Sequence, residues 1–246
     1  MSLSAIALPY AMNLNLQHIS FSYGQNRQLF DDLSVDFNTG SVYALMGANG
    51  SGKTTLFNLI TGFLIPQKGH IFFDGKDITT ISPTRIAQKG LRRTFQKPRF
   101  PLALTVADNL RICLPDNNRV LVNDRIQYLA ERFFLKDKLL VQAGELSFGQ
   151  QKLLSLACCY AADARCFLLD EPVAGIQADF VDRMIEQVRE LKNEGKLVVI
   201  IEHNTDFITH VADRIFFVQK QQLLPFDDLN EMKTNQGVYD AYYKTT

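Results

Sequence analysis

The spacing of apolar residues changes character twice along this chain. From residue 13 to 21, Leu14 and Leu16 alternate with Asn13, Asn15 and Gln17; Ile19 and Phe21 follow, and the alternation predicts a half-buried strand. Leu29, Leu33, Val35 and Phe37 predict a second strand, and Asn38-Thr39-Gly40 a turn into a third, the unbroken apolar run 42–46. Residues 70–73 and the Asp74-Gly75 that follows read as strand and turn. Ser82-Pro83 opens a short helix that runs to Lys89 and stops at Gly90, and 91–95 looks like another strand. From Lys97 to Tyr160 the period lengthens. Thr105 caps a helix through Leu110. Ile126, Leu129, Ala130, Phe133 and Phe134 recur at helical spacing, as do Leu153, Leu156, Ala157 and Tyr160. The strand rhythm then returns at 166–169, 197–201 and 215–218, with a helix face of Phe180, Met184, Val188 and Leu191 between the first two. Strands alternating with helices imply a parallel sheet with crossovers. The stretch 97–163 reads as an inserted helical lobe, and 219–246 is the least patterned part of the chain.

The run 42–46 and the helix face of Leu56, Leu59 and Ile60 bracket Gly47-Ala48-Asn49-Gly50-Ser51-Gly52-Lys53-Thr54. Gly47, Gly52, Lys53 and Thr54 complete the pattern G-x-x-x-x-G-K-[ST]. Glycines let successive N–H groups turn into one concavity, and a helix starting at Lys53 adds its positive end to the same spot. Lys53 can reach the outer phosphates of a nucleoside triphosphate, and the Thr54 hydroxyl can ligate Mg²⁺. The partly antiparallel sheet of the first strands is expected to be built around this loop.

Composition narrows the class. The 246 residues suffice for one domain with a sizeable core, and 46% apolar with 21% charged residues is a globular balance. Lys+Arg and Asp+Glu are equal at 26 each, which argues against a general nucleic-acid binder. No segment approaches the ~18 apolar residues of a membrane span. Residues 1–12 lack a basic start and a long apolar stretch, so no signal peptide is expected there. Cys113, Cys158, Cys159 and Cys166 form no C-x-x-C pair, sit in apolar surroundings and read as buried, reduced thiols rather than a metal site.

Two further motifs carry chemistry. The apolar run 166–169 ends in Asp170-Glu171, where side chains at a strand's C-terminal end can face a ligand crevice. Asp170 would hold Mg²⁺, and Glu171 could act as general base on the attacking water. Alternatively, the pair simply caps the turn before Pro172. Leu146-Ser147-Phe148-Gly149-Gln150 precedes a well-patterned helix; Ser147 suits its N-cap, and that helix end could also bind an anion.

The order of phosphate loop, lone glutamine, Leu-Ser-x-Gly-Gln, apolar-Asp-Glu and histidine resembles the nucleotide-binding subunit of an ABC transporter over roughly residues 13–220. The resemblance implies an α/β fold: a RecA-like P-loop NTPase core with a mixed, mainly parallel sheet, an N-terminal antiparallel β piece and the inserted helical lobe. The whole of 1–246 would be one such domain, with 13–96 and 164–220 as catalytic core, 97–163 as lobe and 221–246 as tail. It implies that Tyr23 stacks on adenine and that Gly47, Asn49, Gly50, Ser51, Gly52, Lys53, Thr54 and Thr55 cradle the phosphates of ATP. Gln96 would sense Mg²⁺ and the attacking water, and His203 would touch the γ-phosphate. Ser147, Gly149 and Gln150 would bind the γ-phosphate of ATP held by a second subunit, identical or a sister. Implied partners are a transmembrane permease subunit and a solute-binding protein, at the inner face of the plasma membrane.

Three positions depart from the usual family pattern. Phe148 stands where glycine is usual, Gln177 takes an aspartate's place, and 217–225 lacks the glycines of the usual late hairpin. Phe148, Ala174-Gly175 and Arg93-Thr94-Phe95-Gln96 resemble the branched-chain amino-acid importer ATPases and their relatives, which include lipopolysaccharide exporters. A DNA-repair relative would carry a long coiled coil between Lys53 and Leu146, and a translation factor two such domains. Lys53, Gln96, Asp170, Glu171 and His203 together argue against a catalytically silent regulatory module.

Overall fold

The computed structural model describes residues 13–24, 27–115 and 118–238. The expectation about residues 1–12 and the last part of the tail lie outside the described residues.

Strands β1 (Asn13–Tyr23) and β2 (Arg27–Asn38) pair antiparallel, with Leu14, Leu16 and Ile19 turned into the core. The alternation of β1 breaks at His18, whose φ of 55° marks an irregularity in register. Strand β3 (Val42–Met46) leaves this sheet, although only a short turn separates it from β2. It is buried on both faces, as an unbroken apolar run requires, and lies between two parallel neighbours. Helix α1 (Lys53–Ile60) follows. Strands β4 (Lys68–Phe73) and β5 (Lys76–Asp77) return to the first sheet, whose order is β2-β1-β4-β5, antiparallel throughout. The expectation that this small sheet surrounds the phosphate loop is therefore corrected: the strand feeding the loop belongs to the other sheet.

Helix α2 (Pro83–Gln88) starts after Ser82 with proline in its first turn. Strand β6 (Leu91–Arg93) is shorter than expected, because the chain turns away after Arg93. Helix α3 (Val106–Cys113) is capped by the Thr105 side chain, which accepts from the Asp108 amide, and it runs past the expected end at Leu110. Helix α4 (Arg119–Arg132) buries Ile126, Leu129 and Ala130. Phe134 lies beyond it at φ 59°, so it does not continue that helical face. Helix α5 (Phe148–Ala161) leads into β7 (Cys166–Asp170), α6 (Ala178–Asn193), β8 (Leu197–Ile201), α7 (Thr205–Val211) and β9 (Arg214–Gln219).

The chain expected to lack pattern at its end forms β10 (Gln222–Phe226) and α8 (Leu229–Thr234). A two-residue turn joins β9 and β10 antiparallel, with Lys220 at φ 45° and Gln221 at φ 68°. Both residues take the left-handed region that this turn demands, so the hairpin forms without its usual glycines, at a cost of about 1–2 kcal/mol per residue.

The second sheet has the order β10-β9-β3-β8-β7-β6, parallel except at β10. On one face Leu45, Leu168 and Val199 pack with Leu56, Phe57 and the four-stranded sheet. On the other, Phe167, Leu169, Val198 and Ile200 share one core with Leu110, Leu129, Phe133 and Leu153 of the lobe helices. The C-terminal ends of β3, β6, β7 and β8 share one edge, where a crevice opens in sheets of this kind.

Candidate active site

The four expected groups issue from that edge. The phosphate loop leaves β3, Gln96 follows β6, Asp170 and Glu171 end β7, and His203 follows β8. Two glycines in the loop are dictated by contact. A Cβ at Gly47 would stand 2.8 Å from the Val218 carbonyl oxygen, and one at Gly52 would stand 2.9 Å from the Phe30 ring. Both also have positive φ, of 144° and 112°. Lys53 folds back over the loop, and its Nζ donates to the carbonyls of Gly47 at 2.6 Å and Ala48 at 3.0 Å. Burial lowers the Lys53 ammonium from its ordinary value, while the charges of Glu171 and Asp170 pull the other way. Two of its three N–H donors are thus engaged within the loop, leaving a third for a ligand. Ser51 Oγ is buried with no partner among the described residues, a donor in search of an acceptor.

A cavity of 180 Å³ opens beside the loop, lined by Tyr23, Asn49, Gly50, Thr54, Thr55, Glu171 and His203 among others. Tyr23 stands edge-on to Phe21 with ring centres 5.0 Å apart, and its hydroxyl lies 3.4 Å from Thr55 Oγ1. The ring is half exposed, and a flat apolar ligand group has room against it. Glu171 has φ 49° and is anchored through its backbone: its amide donates to the Ile201 carbonyl at 2.8 Å, and its carbonyl accepts from Lys152 Nζ. Gln96 Nε2 donates to Glu171 Oε2 at 2.6 Å, which aims the carboxylate. Burial and the Lys53 charge lower the His203 imidazole from its ordinary value, against smaller opposing contributions from Glu171 and Glu202.

Asp170 is buried, and its Oδ2 pairs with Arg93 Nη2 at 2.6 Å. Oxygen donors at this edge include the Thr54 hydroxyl, the Gln96 amide oxygen and the carboxylates of Asp170 and Glu171. They are the hard ligands that suit Mg²⁺ beside a polyphosphate. Among the described residues no three His, Cys, Asp or Glu side chains gather into a metal site of their own.

Ser147, Gly149 and Gln150 do not join the cavity. Ser147 caps α5 in a reciprocal box: Ser147 Oγ accepts from the Gln150 amide at 3.3 Å, and Gln150 Oε1 accepts from the Ser147 amide at 2.9 Å. Gly149 lets α5 approach α6, because a Cβ there would meet the Phe180 ring at 2.5 Å. Gln177 precedes α6 without a side-chain cap.

Sequence reading assigned no role to three charged residues that organise the site. Glu202, 2% exposed, accepts from the amides of Val173, His203 and Asn204 and so joins the turns after β7 and β8. Lys152 ties α5 to the Glu171 carbonyl and lies over the Phe148 ring at 5.1 Å. Arg93 holds Asp170. Arg93 opens the motif 93–96, while Lys152 follows the motif 146–150 and Glu202 precedes His203; that proximity is the signal the sequence carries.

A second, larger groove of 390 Å³ separates the lobe from the core, with Phe63, Phe95, Phe100, Pro101 and Ile112 in its walls. Cys113, Cys158 and Cys159 also line it as half-buried residues, while Cys166 is fully buried, and burial pushes the Cys159 thiol up to about 12.

A family model described as ABC transporter matches residues 30–174. The chain is 32% identical over 229 residues to a probable branched-chain amino acid transport ATP-binding protein of Methanocaldococcus jannaschii, covering 86% of this chain and 88% of the relative. It is also 32% identical over 210 residues to a ribose import ATP-binding protein of Bacillus licheniformis, covering 83% of this chain and 42% of that relative. Among solved structures it resembles a nucleotide-free ATP-binding cassette from an ABC transporter, at 29% identity and TM-score 0.82 over 94% of this chain and 98% of the other. The ADP conformation of an ATP-binding cassette of an ABC transporter matches with the same identity, TM-score and coverage.

Proposed function

The chain belongs to the ABC transporter family as an ATP-binding, ATP-hydrolysing subunit, and on that premise we propose how its residues divide the work and what it energises. The observation that carries the reading is the cavity in which Tyr23, the phosphate loop, Glu171 and His203 meet, with Gln96 bonded to Glu171 at 2.6 Å. Tyr23 takes the adenine. Gly47, Asn49, Gly50, Ser51, Gly52 and Thr55 wrap the phosphates with amides and hydroxyls, and Lys53 supplies the cation at the outer phosphates.

Thr54, Gln96 and Asp170 would hold Mg²⁺, which when bound neutralises charge on the phosphate oxygens. Glu171 takes the proton of the attacking water, Gln96 fixes the orientation of that carboxylate, and His203 contacts the γ-phosphate through a ring N–H. Ser147, Gly149 and Gln150 lie outside this chain's own cavity, with Ser147 exposed, which fits a role toward ATP on a second ATP-binding subunit. In this reading 13–96 and 164–220 form the catalytic core, 97–163 the lobe and 221–246 an appended tail.

The transported cargo is proposed to be an amino acid or a similar small solute, moved inward. Support comes from relatives named for branched-chain amino acid transport and ribose import. Among the described residues no helix is long and apolar enough to cross a membrane. As an ATP-binding subunit of an ABC transporter it is proposed to work with a separate transmembrane permease, peripherally at the cytoplasmic face, with a solute-binding protein as a further partner. The groove between lobe and core, with Phe95, Phe100 and Pro101 in its wall, is proposed to receive a short segment of that permease.

The test is Lys53→Ala. Calorimetry with ATP should show binding largely abolished while the melting curve keeps its cooperativity. Wild-type affinity would overturn the assignment of the phosphate loop.

A further inference from the structure

Arg93 joins three parts of the molecule that the reaction must coordinate. It sits on β6 beside β7, and its Nη2 meets Asp170 Oδ2 at 2.6 Å with the two side chains only 5% and 7% exposed. Its Nη1 donates at 2.7 Å to Asn58 Oδ1, on the helix that begins with Lys53. Its guanidinium lies 5.3 Å from the Phe57 ring centre and 5.0 Å from that of Phe95, a ring in the wall of the groove. Its Nε is buried with no partner among the described residues.

A buried ion pair is weak support for stability, since a well-packed apolar pair often serves as well. An unpartnered donor beside it adds a further cost. The arrangement makes more sense as control of charge. Asp170 is the carboxylate proposed above to serve the metal, and here it is already neutralised by a fixed cation. A dication approaching that carboxylate meets a positive charge at hydrogen-bond distance from it, in surroundings that screen poorly.

We propose that Arg93 is a positioning residue that weakens and orients the binding of Mg²⁺ at Asp170, with and without nucleotide, so that the metal depends on the phosphates for much of its hold. This rests on the reading of Asp170 as a metal-serving carboxylate. Asn58 and the two aromatic rings keep the guanidinium from following the carboxylate when a metal draws on it. The brake is thus set by α1 and by the groove wall rather than by Asp170 alone.

The experiment measures the affinity of the β,γ-imido analogue of ATP by calorimetry, in EDTA and in saturating Mg²⁺. The ratio of the two dissociation constants isolates the metal's contribution, with no turnover involved. Removing the charge in Arg93→Met should raise that ratio by about tenfold or more, the effect of one nearby like charge on binding of an ion. Arg93→Gln keeps an amide donor for Asp170 and replaces the methionine variant if that does not fold. Arg93→Lys keeps the charge and should restore a ratio near wild type. Asp170→Asn should collapse the ratio. An unchanged ratio in Asp170→Asn would defeat the metal reading of that residue. A collapsed ratio there, with an unchanged or lowered ratio in both neutral Arg93 variants, would defeat the present proposal and leave that reading standing.

Discussion

Replacing Glu171 by glutamine removes one proton acceptor and little else. The side chain keeps its length, and the backbone at φ 49° strains both residues alike. Anchors to the Ile201 carbonyl and from Lys152 run through the backbone and survive the change. Gln96 Nε2 donates to Glu171 Oε2 at 2.6 Å, and the new amide can still accept that bond by presenting its oxygen. What is lost is the basic oxygen that would take the water's proton. General-base catalysis contributes ~10²–10⁴ in rate. That corresponds to about 2.7–5.5 kcal/mol of barrier. Nucleotide affinity should hold or tighten, because a negative charge leaves the neighbourhood of the triphosphate and of Lys53, on which Glu171 acts electrostatically.

Two measurements on Glu171→Gln follow. Single-turnover phosphate release should slow by the stated factor, with calorimetric ATP affinity retained. Sedimentation with ATP should show dimers, since ATP that persists can bridge Lys53 of one copy and Ser147 of the other. Near-normal phosphate release would refute the argument and move the proton acceptor elsewhere, with His203 the next residue to test.

Phe100 is half-buried, packs against the lobe core and lines the groove; Phe100→Ala should weaken permease binding by ~2 kcal/mol or more, as anchor aromatics do. Pull-down with the permease checks this, and a lowered melting temperature with intact binding would make Phe100 a core residue only. Burial and Lys53 hold the His203 imidazole below its ordinary 6.5, so the unfolded chain takes up its proton first as pH falls. Stability is therefore full above 6.5 and declines as pH drops through the depressed folded value; melting curves of His203→Gln from pH 8 to 5 should show a smaller acid loss. Arg132, on α4, is 8% exposed and reaches Glu190 at 3.2 Å, Glu194 at 2.5 Å and the Tyr160 hydroxyl at 3.0 Å. It also donates to buried Gln187, so Arg132→Met should cost about 2 kcal/mol and lower the melting temperature by several degrees without altering ATP affinity.

Much of the candidate nucleotide site could be proposed from the sequence because its chemistry is local in the chain. Gly47 through Thr54 must lie together to make a loop, and Asp170-Glu171 must end a strand to face a crevice. The apolar runs 42–46, 166–169 and 197–201 announced strands buried on both sides, and they are neighbours in one parallel sheet. The partition between sheets was harder to read. β3 follows β2 through a short turn, yet it pairs with β8 and β9 from far along the chain. The unbroken burial of β3, against the alternation of β1, was the available sign that the two belong to different sheets. At the late hairpin, the missing glycines misled because strand pairing on both sides can hold Lys220 and Gln221 in a backbone region they disfavour.

The charges that organise the site were not legible, for a common physical reason. A buried ion is tolerated only with its partners in place, and here each partner belongs to another element. Arg93 of β6 needs Asp170 of β7, and Lys152 of α5 needs the carbonyl of Glu171. Glu202 shows the point in its bond from Val173, its other two partners being its own chain neighbours. In the sequence it is one more acidic residue beside a histidine. In the fold it is almost wholly buried and receives three amide N–H groups, from Val173, His203 and Asn204. Its bond to Val173 holds the turn bearing Glu171 against the turn bearing His203, so the spacing of the proposed proton acceptor and the proposed γ-phosphate contact is set by a buried residue that does not line the cavity. A motif can name the groups that do chemistry; their spacing comes from buried charges whose partners only the fold supplies.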